Sequence, residues 1–194
     1  MKYTKEFESL FNNNSFPVFT LEDVMLAFKS KGISYNYLRL MLHKYLKSDK
    51  IKRISRGIYT FHDDAIVVGF AFRPFYYGLE SALNILGFST QGANNIVITT
   101  RNVRPGIRVF EGRNYKLMRI KREYFFGYKL MQYNGFWVPV SDLEKTLIDM
   151  IYFKIGIRNE LKPSILKALD RKKLKSYLEH YDKRINAKIY AELK

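Results

Sequence analysis

The stretch from Thr20 to Phe61 decides the reading: TLEDVMLAFKSKGISYNYLRLMLHKYLKSDKIKRISRGIYTF. Thr20 followed three residues later by Asp23 is an acidic variant of the capping box that opens a helix. Leu21, Val24, Met25 and Phe28 then recur at i, i+3, i+4 and i+7, one helical face. Gly32 stops that helix, and Ser34 caps the next. The second helix places Leu38, Met41, Leu42, Tyr45 and Leu46 on its buried face, and Asn36, Arg39, His43, Lys44 and Lys47 on the other. Beyond Asp49, Ile51–Ser55 and Ile58–Phe61 read as two short strands turning at Arg56-Gly57.

Charge is concentrated on this stretch. Lys29, Lys31, Arg39, Lys44, Lys47, Lys50, Lys52, Arg53 and Arg56 stand against a single acid, Asp49, a net +8 that is half of the chain's formal +16. Two helices joined by a tight turn, followed by a basic hairpin, are what a winged helix-turn-helix lays on duplex DNA. The N-terminal half of its second helix enters the major groove, so Tyr35, Asn36, Arg39 and His43 are the candidates for reading bases. Asn can pair bidentately with adenine and Arg with guanine. Lys29, Lys31, Lys44 and Lys47 suit phosphates, which position the protein without reading sequence. Lys52, Arg53 and Arg56 lie on the wing, within reach of backbone or minor groove.

The bulk numbers agree with a polyanion partner. At 194 residues, 47% hydrophobic and 16% aromatic, the chain can build a core. A pI near 9.8 attracts nucleic acid or an anionic surface. The longest apolar run, Ala65–Phe72, is far short of the roughly 20 residues that span a bilayer. MKYTKEFESLFNNN has no apolar core of a secretory signal, so a cytosolic protein is expected. With no cysteine and three scattered histidines (His43, His62, His180), disulfides, thiolate metal sites and a thiol nucleophile are excluded, and neither a metal nor another cofactor is expected.

The expected organisation is α+β: a winged helix-turn-helix over 1–62, then a mixed α/β domain over 63–194 with a predominantly antiparallel sheet and C-terminal helices. Residues 3–12 form a first helix with Phe7, Leu10 and Phe11 on one side, ahead of the turn Asn12-Asn13-Asn14-Ser15. A short helix covers Ala65–Phe72 and another Tyr77–Leu86. Strand-like runs follow at 96–100, 108–110, 115–120, 129–133 and 136–140, broken by Gly106, Gly112, Gly127 and Gly135. Ser141-Asp142-Leu143-Glu144 reads as a capping box for a helix through Phe153, with Ser141 as the cap and Glu144 as its partner. From Asn159 the chain is helical and basic, and residues 154–194 carry +7. Residues 62–153, at +3, are nearly balanced.

Several segments together resemble the AbiEi family of antitoxin-type transcriptional regulators: IKRISRGIYTF, YYGLESALNILGF, IVITTR and WVPVSDLEKTLIDMIYF. The likeness spans roughly residues 20–155. It implies a winged helix that binds inverted repeats in its own promoter, and a C-terminal α+β domain associated with antitoxin activity; inverted-repeat binding favours two copies per site and leaves a homodimer off DNA open. The genetic partner it implies is a nucleotidyltransferase-like toxin, which the antitoxin need not touch. A protein- or RNA-interaction module without operator binding is the alternative.

An enzyme is not expected. Asp149 with Glu160-Leu161-Lys162 gives a D…ExK string, but a nuclease needs those carboxylates on paired strands around a metal, and Asp149 sits in a helical pattern. No phosphate-binding glycine loop is present. Asp149 itself, in an apolar stretch, is open between a bond to a neighbouring backbone amide or Arg/Lys and a role in a site; Glu80 and Ser81, on the YGLESALNIL helix, also invite a functional reading.

Overall fold

The structure is a computed structural model that describes residues 3–89 and 94–192. It is a mixed α+β protein that divides into two compact units, Met1–Ala71 with Asn134–Phe136, and Phe72–Tyr133 with Trp137–Lys194. No helix among the described residues is long and apolar enough to cross a membrane.

In the first unit, α1 (Thr4–Phe11) precedes a short strand β1 (Phe19–Thr20), α2 (Leu21–Ala27), a 3-10 turn over Lys29–Lys31, α3 (Tyr35–Lys47), and the strands β2 (Lys52–Ser55) and β3 (Ile58–Thr60). Asn13 Oδ1 accepts from the amides of Ser15 (3.0 Å) and Phe16 (2.9 Å), closing the turn after α1. Thr20 and Asp23 form the reciprocal capping box of α2, Thr20 N donating to Asp23 Oδ2 at 2.7 Å and Asp23 N to Thr20 Oγ1 at 3.1 Å. Gly32 ends the 3-10 turn at φ 60°, a left-handed conformation that glycine adopts without cost. The two-residue connection Arg56-Gly57 joins β2 to β3, and β1 pairs on the far side of β3, giving an antiparallel sheet ordered β1-β3-β2.

The core of this unit is aromatic. Phe7 lies 5.0 Å from Tyr45, 5.3 Å from Phe61 and 5.5 Å from Phe19 between ring centroids, tying α1, α3 and β1 together. Val24, Phe28, Leu38, Met41 and Leu42 complete it. Two expected core residues lie outside: Leu10 is 43% exposed and Met25 40%. Helices of eight and seven residues bury one narrow stripe each, and both residues stand at its margin.

The second unit is a six-stranded sheet packed with helices. Its elements are β4 (Phe75–Tyr77), α4 (Leu79–Ile85), β5 (Asn95–Thr99), β6 (Gly106–Phe110), β7 (Arg113–Arg119), β8 (Tyr128–Tyr133), β9 (Phe136–Ser141), α5 (Leu143–Tyr152), α6 (Lys162–Ala168), α7 (Arg171–Leu178) and α8 (Lys183–Glu192). The strand order is β6-β7-β5-β4-β9-β8. The sheet is mixed: β6 pairs with β7 and β4 with β5 antiparallel, whereas β5 and β7 run parallel over five residue pairs and β4 and β9 are also parallel. The link 100–105 carries the chain out to β6, and the Glu111-Gly112 turn folds β7 back between β6 and β5, so β7 runs in the direction of β5. Ala65–Phe72 is a 3-10 segment rather than an α-helix.

The core of the second unit gathers Tyr76, Ile96 and Ile98 from the sheet with Leu83, Leu147, Ile148, Ile165, Leu174 and Ile189 from the helices. α5 is buried along its length from Leu143 to Met150.

Candidate nucleic-acid interface

α3 is built from its inner side outward. Ser34 Oγ accepts from the Tyr37 amide at 3.3 Å and starts the helix. Leu38, Met41, Leu42 and Tyr45 are buried. At about 100° per residue, the direction opposite these four runs through Asn36, Leu40, His43 and Lys47, with Arg39 and Lys44 on either margin. All six are exposed. Tyr35, 48% exposed, lies at the helix start with the Arg39 guanidinium 5.6 Å from its ring centroid, an arrangement that holds the Arg side chain over the first turn.

Apart from Lys5 and Arg39, the basic residues of this unit divide into two sets among the described residues. Lys29, Lys44, Lys47, Arg53 and Arg56 are exposed and make no ion pair among the described residues. Three others are engaged by acids. Lys31 pairs with Glu6 of α1 at 2.6 Å and lies 5.8 Å from the Tyr3 ring centroid. Lys50 reaches Glu8 at 3.5 Å. Lys52 is turned in, its side chain 10% exposed, and pairs with Asp49 and with Asp63, the latter at 3.7 Å. Lys52 therefore has no ammonium to offer a phosphate, and Lys31 offers one already partly neutralised. Arg53 and Arg56 are left as the exposed cations of the hairpin. Glu8 also accepts from Tyr45 Oη at 2.8 Å, and burial, then this contact, raises the phenol well above its ordinary pKa.

Leu40 escaped the sequence reading. It is 48% exposed and stands one turn from both Asn36 and His43. A major-groove face tolerates an apolar side chain there, because the thymine methyl gives it a partner. The helical spacing of Leu40 from Asn36 was the available signal.

The polar and charged residues at and around α5 serve the packing of the second unit. α5 is capped by Asp142, whose Oδ1 accepts from the Lys145 amide at 2.9 Å, and not by Ser141. β9 extends through Ser141, whose hydroxyl meets Thr146 Oγ1 at 2.7 Å. Glu144 does not reach back to a cap: it accepts from the Asp170 amide at 2.9 Å and pairs with Lys173 at 3.1 Å. Ser81 accepts from the Ile96 amide at 2.6 Å.

One turn along α5, Lys145 and Asp149 form an ion pair with no exposed surface. Tyr76 Oη donates to Asp149 at 2.7 Å, Lys145 Nζ donates to Tyr181 Oη at 3.1 Å, and the rings of Tyr76, Phe126 and Tyr181 surround the ammonium. Burial pushes both members toward their neutral forms, lowering the Lys145 pKa and raising that of Asp149, and their mutual attraction opposes it. Gly127, at φ +70°, passes directly over this pair. A Cβ there would come within 2.9 Å of Lys145 Cβ and of the Tyr177 ring. Nothing in this arrangement is open to a substrate. Glu160, the second carboxylate of the D…ExK string, is exposed and faces Arg158 at 3.6 Å. Further along the chain, Arg171, Lys172, Lys175, Lys183, Arg184 and Lys188 are exposed on α7 and α8.

No protein-family model and no curated protein matches this chain. Among solved structures, the crystal structure of the RV2827C protein from Mycobacterium tuberculosis resembles it with a TM-score of 0.61 at 12% sequence identity, covering 100% of this chain and 76% of that one. At that identity the likeness is one of fold.

Proposed function

We propose that this protein is a DNA-binding transcriptional regulator of the cytoplasm, whose first unit is a winged helix-turn-helix with α3 as recognition helix and the β2–β3 hairpin as wing. The observation that carries the reading is the outward stripe of α3: Asn36, Leu40, His43 and Lys47 exposed on one line opposite a buried face. Such a stripe offers an amide, an imidazole and an apolar surface, groups that can meet base edges and thymine methyls. The unpaired cations Lys29, Lys44, Arg53 and Arg56 supply phosphate contacts around it.

The reading extends to an antitoxin of the AbiEi type, on the strength of the sequence resemblance over residues 20–155. In that role two copies bind an inverted repeat in the protein's own promoter, and the genetic partner is a nucleotidyltransferase-like toxin with which no direct contact is required. The test is a gel-shift titration of the full chain on the DNA upstream of its own gene. A shift at low salt that random duplex does not compete away is expected. No shift at low salt overturns the reading.

A further inference from the structure

The edge of the second unit's sheet formed by β6 combines open backbone, exposed apolar side chains and dense positive charge. Ile107 and Val109 are 68% and 64% exposed. They stand on the face that carries Lys116 and Met118 of β7 and Ile96 and Ile98 of β5, by the registers Ile107↔Lys116, Ile96↔Lys116 and Ile98↔Met118. The turn after β6 has Glu111 at φ 46° and Gly112 at φ 70°, the left-handed pair of a two-residue hairpin, so Phe110 and Arg113 exchange the closing hydrogen bonds. Alternation along the ladder then aims the N–H and C=O of Ile107 and Val109 away from β7. β7 is the only strand paired with β6 among the described residues.

Natural edges are usually blunted by an outward charge. Here the charge of β6 is spent inward: the Arg108 guanidinium lies 5.2 Å from the Phe72 ring centroid and donates to Arg104 O at 3.1 Å. The residues left at the surface are the apolar ones. The surroundings are strongly cationic, because residues 101–122 hold eight Lys/Arg against a single acid, Glu111. Arg104 and Arg113, at the two ends of β6, are exposed and make no ion pair among the described residues.

We propose that β6 is a docking edge for an extended acidic polypeptide segment, which adds as a strand and alternates apolar with carboxylate side chains. A strand paired to β6 sends successive side chains to opposite faces. One set would cover Ile107 and Val109, and the other would lie on the face of Arg108, toward the open guanidinium groups of Arg104 and Arg113. Exposed Ile107 and Val109 favour a polypeptide over a nucleic-acid backbone, and the positive charge favours an acidic segment over a second copy of this +16 chain.

The test is fluorescence anisotropy of the full chain with a labelled peptide of alternating Val and Glu. The controls are a peptide of the same composition in scrambled order, and the alternating peptide N-methylated at alternate residues to remove its pairing donors. The proposal expects the alternating peptide to bind and both controls to bind about tenfold more weakly or not at all. Ile107→Lys with Val109→Lys, both at exposed positions, should weaken binding about tenfold, and Arg104→Glu with Arg113→Glu by a similar factor. Circular dichroism of each variant establishes that it is folded. Equal binding of the alternating and scrambled peptides, or full binding by the folded Ile107→Lys/Val109→Lys variant, overturns the proposal. So does random-sequence duplex DNA that displaces the peptide and binds more tightly to that variant, which would make the edge a polyanion patch.

Discussion

The division of the first unit's cations into open and engaged sets fixes how DNA binding should respond to salt. Each phosphate neutralised contributes about −0.9 to the slope of log affinity against log salt concentration. Lys29, Lys44, Lys47, Arg53 and Arg56 are exposed and free of acids, whereas Lys31, Lys50 and Lys52 are held by Glu6, Glu8, Asp49 and Asp63. Five open cations set a contribution of roughly −4.5 from this set, a loss of about five-hundredfold between 50 and 200 mM salt. Counting all eight would give roughly −7, about fortyfold more. Differences between variants isolate the effect from any cations of the second unit. The measurement is anisotropy on a duplex of about 12 base pairs, too short for two copies side by side. Lys44→Ala, Arg53→Ala and Arg56→Ala should each flatten the slope by about 0.9, and Lys52→Ala should leave it unchanged. If Lys52→Ala flattens the slope as much as Lys44→Ala does, the ion pairs do not withhold that charge and the reasoning fails.

Three predictions concern the second unit. Lys145→Met leaves Asp149 buried with Tyr76 as its remaining donor and should destabilise the unit by about 3–5 kcal/mol, while Lys145→Met with Asp149→Leu should recover most of the loss, both read by urea unfolding. Gly127→Ala should cost about 1–3 kcal/mol in the same assay, since a Cβ at φ +70° meets Lys145 and Tyr177 at 2.9 Å. For alkaline pH, burial and then the bond to Asp142 push the Tyr177 phenol up to about 12, and burial raises Tyr76 and Tyr181 as well. A raised phenol contributes stability that is complete below pH 10 and lost as pH climbs through the folded value. The lowered pKa of Lys145 acts in the opposite direction, and only up to its unfolded value of 10.5. Unfolding midpoints should therefore fall between about pH 10.5 and 12, and Tyr177→Phe should shallow that fall.

Local signals were legible where the chemistry is local. The Thr20–Asp23 box, the Ser34 cap and the buried stripe Leu38, Met41, Leu42, Tyr45 follow from spacing alone. β1 and β4, two and three residues long, carry too little pattern to show a period, and both owe their existence to neighbours far along the chain. In the SDLE run the spacing pointed to Ser141, but the cap is Asp142, one position later, because β9 extends through Ser141. Lys52 looked like a wing cation because its partners, Asp49 and Asp63, flank the hairpin and converge only when it folds. Asp149 found its partner one helical turn back, a spacing visible in the sequence. Its full burial beneath Tyr76 and Tyr181 was not visible there. The near balance of residues 62–153 hid the +7 of residues 101–122, because the acids of that region lie mostly on and around α5 and in 63–80.

The account rests on α3 reading bases, and one competition experiment addresses that directly. The full chain and its Asn36→Ala/Arg39→Ala variant are titrated against the duplex upstream of the protein's own gene and against random duplex of equal length. Loss of about 10- to 100-fold on the upstream duplex with little change on random DNA is the predicted result. Equal loss on both, or no preference for the upstream duplex in the parent chain, would contradict it.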